Sequence, residues 1–269
     1  MYKNKFYVID AHCHVYPQKI LPRAVDATGD FYLEKPFHNG TLEQLFEYGD
    51  AMGIDKYVIE SVATTKNQVP RINEFIAECV SKYPDRLYGL GAAHPESDDI
   101  RKDMEQVKAL GLKGIKIHPD IQGFSIDCDG FKETYDACEE LGLTVLSHAG
   151  DKRYDYSNPN RIVPLLLSRP NLKFVAAHLG GWSIWSTAVD ELQKIPNLYV
   201  DCSSALGYIS PEKATEIIRR FGADHVLFGT DYPLHSIDGE FAHFDRLLLT
   251  DEERKMIFCE NAKRIYGLD

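Results

Sequence analysis

Residues 6–14 read Phe-Tyr-Val-Ile-Asp-Ala-His-Cys-His, an apolar run that ends in a carboxylate and two histidines. The run has the length and β-branched content of a buried strand. An open nucleotide-binding sheet would follow its first strand with a glycine-rich turn. DAHCH stands there instead.

Working outward, the same motif of short apolar run plus amphipathic segment recurs. Residues 56–62 (KYVIESV), 87–93 (LYGLGAA), 114–118 (GIKIH), 144–148 (TVLSH), 172–178 (LKFVAAH), 198–202 (LYVDC) and 225–229 (HVLFG) complete a set of eight strands with residues 6–10. Helical periodicity separates them, over roughly residues 68–82, up to 110, 130–141, from 159, 183–195, 211–221 and 250–266. Thr41 with Gln44, and Thr250 with Glu253, have capping-box spacing. Eight βα alternations predict a parallel (β/α)8 barrel in a single domain over residues 1–269, a length that fits the roughly 250 residues such barrels use. Residues 15–40, rich in Pro, Tyr and Phe, break the pattern. They are expected to be irregular and to wall the pocket or pack over the rim, Tyr16, Phe31, Tyr32 and Phe37 arguing against disorder.

The net charge of −11, from 41 acidic and 30 basic residues, argues against a nucleic-acid surface. No run is apolar enough to span a bilayer, and no leader pattern opens the chain. The six cysteines are scattered without a CxxC pair and read as reduced thiols, so the cytoplasm is the expected compartment. Oligomeric state is left open, a homo-oligomer included.

Function is carried by placement. His12 and His14 are two apart beyond a strand and share a face. His118, His148 and His178 close strands four, five and six, and Asp231 follows strand eight. A barrel presents its active site at those strand ends. Imidazole and carboxylate are ligands for zinc, iron or manganese, and a metal with an open position can activate water. Asp10 shares the parity of His12 and His14 one layer deeper, either holding a ligand imidazole or as a buried polar group.

Asp10-Ala-His12-Cys-His14, VLSHAG around His148, AAHLGG around His178, LFGTDYP around Asp231 and the ending ENAKRIYGL together resemble the amidohydrolase superfamily. The ending is similar to the amidohydrolase-related branch that includes aminocarboxymuconate-semialdehyde decarboxylases. The resemblance implies one divalent metal, zinc before manganese or iron, on His12, His14, His148 and Asp231. It also implies His178 as the acid/base or carbonyl-polarising residue beside Asp231. Lys116 is either a pocket residue or a structural ion-pair partner, and in binuclear relatives a lysine at that strand end is carboxylated. His118, Arg153 (as a carboxylate clamp) and Trp182 are candidate substrate contacts, Trp185 a weaker one, and Glu60 is as readily structural as catalytic.

The expected reaction is hydrolysis of a small-molecule amide, lactone or related bond by metal-activated water. Non-oxidative decarboxylation of an unsaturated or aromatic acid stands second. A barrel that binds metal without catalysis stands third.

Overall fold

The structure, a computed structural model, describes residues 1–3 and 5–269. Its strands are β1 (Ile9–His14), β2 (Lys56–Glu60), β3 (Leu87–Gly89), β4 (Gly91–Ala92), β5 (Gly114–Ile117), β6 (Thr144–Ser147), β7 (Phe174–Ala176), β8 (Leu198–Asp201) and β9 (Val226–Leu227). Every neighbouring pair is parallel, in the orders β1-β2-β3 and β4-β5-β6-β7-β8-β9. β3 and β4 are one stave interrupted at Leu90, whose N–H still bonds Ile59 O at 2.9 Å. The last stave closes on the first: Ala11 N donates to Phe228 O at 2.9 Å, and a parallel bridge joins Cys13 to Tyr232. The fold is a TIM barrel.

Side chains alternate across each stave, so residues two apart share a face. Val58 and Leu146 belong to a buried apolar cluster with Val175 and Leu227. Ile265 and Tyr266, near the chain's end, pack against that cluster. Two residues on from Val58 and Leu146 come Glu60 and His148, which puts polar groups directly over an apolar floor.

Three differences from the sequence reading matter. Residues 15–40 are not irregular: α1 (Leu21–Tyr32) occupies the middle, with Pro22 in its first turn, where its missing N–H costs nothing. Leu21, Val25 and Gly29 form its buried face, and a Cβ on Gly29 would lie 2.6 Å from Glu34 O. Glycine stands there because the chain folds back across it, with Glu34 and Pro36 packed against the position. Secondly, a helix over Ile237–Asp245 escaped the sequence reading. Thirdly, the closing helix runs through a π-helical turn at Met256–Glu260. The Thr250–Glu253 capping box is formed. At α2 (Leu42–Met52), Thr41 accepts from Gln44 N, while the Gln44 side chain accepts from Asn39 N instead.

Candidate metal centre and active site

β1 carries a bulge between Asp10 and Cys13, and this decides which of its polar side chains face the centre. Asp10 turns to the last stave, accepting from Thr230 N at 3.0 Å and Thr230 Oγ1 at 2.6 Å; burial raises its carboxyl to about 6. It holds no imidazole, contrary to one of the two sequence expectations.

His12 and His14 point inward. His12 Nε2 lies 3.3 Å from His14 Nε2 and 3.4 Å from Asp231 Oδ1, and His14 Nε2 lies 3.5 Å from the same oxygen. Donors bound to one cation at about 2.0–2.2 Å stand about 3.0–3.5 Å apart, so these three fit one ion. Glu60 Oε1 is 3.5 Å from His12 Nε2, and neither of its carboxylate oxygens has a hydrogen-bond partner among the described residues. A fully buried, unpartnered carboxylate is costly and calls for a cation. Burial pushes Glu60 well above the ordinary carboxyl range and Asp231 to about 7. His12, His14, His148 and His178 are all held well below the ordinary histidine range by burial, neutral and able to ligate or accept a proton.

Tautomers follow from the partners. His12 Nδ1 faces Asp201 Oδ2 at 2.9 Å and donates to it, which leaves Nε2 as a lone pair. Asp201 Oδ1 accepts from Ser203 Oγ at 2.6 Å and from His178 N at 3.2 Å. His178 Nδ1 lies 3.0 Å from the Ser203 carbonyl, which can only accept, so the proton is on Nδ1 and Nε2 is free. His178 (φ 59°) and Asp231 (φ 55°) both hold left-handed backbone. Such strain in non-glycine residues persists where surrounding structure enforces it, commonly at functional sites.

His148 sits differently. Its Nε2 donates to Gly150 O at 3.0 Å and its Nδ1 accepts from Tyr32 OH at 3.2 Å. Its ring stacks on His118 at 4.0 Å. His118 Nδ1 takes the Ile121 N–H, so His118 Nε2 donates to Tyr32 OH at 2.6 Å. His148 is thus tied into a directed chain ending at Gly150, and its donors are not turned toward His12 and His14.

The pocket above the centre has a volume of about 600 Å3. His12, His14, Lys116, His118, His178 and Asp231 line it. Lys116 is buried and donates from Nζ to His12 Nε2 at 2.8 Å. Arg153 and Trp182 are not among the lining residues, which corrects the expected clamp. Arg153 bonds Asp151 and donates to Phe31 O at 2.7 Å, and its guanidinium lies 4.7 Å over Phe31 and 5.4 Å from the Trp182 ring centre. It pins α1 down. Trp185 donates to His178 O at 3.0 Å and also stays out of the pocket. Sequence reading passed over Asp201 and Ser203, placed Tyr32 only generally in a segment walling the pocket or packed over the rim, and gave Glu60 no more weight as a catalytic group than as a structural one.

The family model described as Amidohydrolase matches residues 9–268. Among curated relatives, 2-amino-3-carboxymuconate-6-semialdehyde decarboxylase of Dictyostelium discoideum is 24% identical over 60% of this chain, which spans only 55% of that protein's length. Gamma-resorcylate decarboxylase of Polaromonas sp. is 24% identical over 74% of this chain and 76% of its own. A solved dihydroxybenzoic acid decarboxylase from Polaromonas sp., with bound manganese and 2-nitroresorcinol, superposes with TM-score 0.74 at 18% identity, covering 98% of this chain and 97% of its own. These relatives overturn the expectation of amide or lactone hydrolysis: they are decarboxylases, the class placed second. The metal named with the solved relative is manganese, not zinc. No helix among the described residues is long and apolar enough to cross a membrane. The chain belongs to the amidohydrolase family.

Proposed function

We propose that this protein is a metal-dependent, non-oxidative decarboxylase of an aromatic or unsaturated carboxylic acid. The observation that carries the reading is the convergence of His12 Nε2, His14 Nε2 and Asp231 Oδ1 beside an unpartnered Glu60, with the neutral His178 on the same pocket floor. The donor set serves hydrolysis and decarboxylation alike, and similarity to decarboxylases supports the latter.

His12, His14 and Asp231 would hold the ion, with Glu60 as a further oxygen and His148 only after its ring leaves Gly150. A bound divalent ion, manganese before zinc, supplies positive charge that draws a carboxylate and a neighbouring oxygen to the floor. His178 Nε2, free as a lone pair, accepts the proton of a substrate hydroxyl. The carbon–carboxylate bond then breaks, its electron pair stays on carbon, and carbon dioxide leaves. The proton held at His178 Nε2 passes to that carbon. Burial makes the transient imidazolium a strong acid, which favours this delivery. The product phenolate regains its proton from solvent.

The test is product analysis. Manganese-loaded protein is offered hydroxybenzoates, lactones and amides, and carbon dioxide and new acid are both measured. Carbon dioxide from hydroxybenzoates, reduced about 100-fold or more in His178→Ala, is the expected result. Acid release from lactones or amides without carbon dioxide would overturn the reading.

A further inference from the structure

Arg23 and Arg71 both line the pocket, and among the described residues neither makes an ion pair or a hydrogen bond. Arg86, Arg161, Arg169 and Arg220, by contrast, are each committed to a carboxylate, and Arg246, which is also unpaired, does not line the pocket. They come from separate walls: Arg23 lies on α1, and Arg71 in the first turn of α3 (Val69–Lys82). Lys19 lines the same mouth, and the only carboxylate among the lining residues is Asp231 on the floor. The rest of the lining is mainly apolar, Ala24, Ile72 and Ile121 included, with Thr28, Thr64 and Gln68 as polar interruptions. Ala24 and Ala27 are three apart on one helix face, and their small side chains keep the passage wide. The volume of about 600 Å3 exceeds what a single ring fills and is typical of sites for larger ligands.

We infer that the substrate carries a second carboxylate, remote from the one that is lost, and that Arg23 and Arg71 grip it at the mouth. The inference rests on the decarboxylase reading and names its substrate class: an acid with an apolar middle and a carboxylate at each end. Guanidinium groups suit this task because their paired N–H donors match a carboxylate's two oxygens. A cationic mouth on a protein of net charge −11 also gives a dianionic ligand a local attraction.

The experiment uses manganese-loaded protein and two compounds that share one skeleton and differ in the charge of the tail. One is 2,6-dihydroxybenzoate bearing a 2-carboxyethyl group para to the reacting carboxylate, and the other is the methyl ester of that tail. Carbon dioxide release gives KM for each, and calorimetry gives Kd for each. The tail carboxylate should lower KM and Kd about tenfold against the ester, as expected for charge-assisted pairs at a partly hydrated rim. In Arg23→Gln/Arg71→Gln the ester-to-acid ratio should fall to about one, with Arg23→Lys retaining part of it. Equal affinity for acid and ester in the unaltered protein, or a ratio that survives the double substitution, would overturn the inference. If neither compound releases carbon dioxide, the decarboxylase reading fails, and the Kd ratios alone then decide the clamp.

Discussion

His12 Nδ1 lies 2.9 Å from Asp201 Oδ2, so a carboxylate at the end of β8 fixes the tautomer of a histidine on β1. The other oxygen of Asp201 takes the backbone N–H of His178, which ties a proposed metal ligand and the proposed proton carrier to one side chain. Asp201→Asn keeps the shape and removes the charge. Manganese affinity should fall about 10–100-fold, the usual cost of losing the partner behind a ligating histidine. Calorimetric titration reads this directly, and unchanged affinity would contradict the role.

Glu60 separates stability from metal binding. Its buried carboxylate lacks partners, so Glu60→Gln should stabilise the metal-free protein by about 1–3 kcal/mol. That corresponds to a rise of roughly 2–4 °C in Tm per kcal/mol at this size. The same substitution should weaken manganese binding. Scanning calorimetry with and without manganese would show the two opposite changes; a lower Tm in both states would mean the carboxylate is satisfied in some other way.

Asp231 makes metal binding depend on pH. Burial raises its carboxyl to about 7, and a proton there competes with a cation. Apparent affinity should therefore fall as the pH drops through 7, approaching tenfold per pH unit, and the buried Glu60 carboxyl, raised in the same direction, adds to the same dependence. The histidines, already neutral in this range, add little slope. Binding isotherms from pH 5.5 to pH 8.5 (about three units around the midpoint) check the sign, and affinity that rises on acidification would refute it.

Arg153 holds α1 over the pocket through Phe31 O and the ring of Phe31. Arg153→Ala should loosen that helix by about 1–2 kcal/mol, since it removes charge-assisted bonds and packing together. Faster proteolysis within residues 15–40, and KM raised more than kcat is lowered, are the expected signs. An unchanged cleavage rate would show that the helix is held by other contacts.

The barrel was legible because eight short apolar runs alternate with amphipathic helical segments along the whole chain. The cluster of His12, His14 and Asp231 followed, since strand ends of a barrel converge. Asp201 was hidden although it ends a stave itself: nothing near it in sequence shows that it reaches across the barrel to His12. The role of Asp10 was misplaced by a bulge, which changes parity without changing composition. α1 was obscured by Pro22 and Gly29, residues that ordinarily break helices but are used here at the first turn and at a close approach. Arg153 and Arg23 carry the same charge, and only the fold shows which is already spent on a carboxylate.

The central claim is that one divalent ion sits on His12, His14 and Asp231. After dialysis against chelator, titration with manganese under paramagnetic resonance should show one site per chain, lost in His12→Ala/His14→Ala while the circular dichroism of the barrel persists. A site of unchanged stoichiometry and affinity in that double variant would contradict the account.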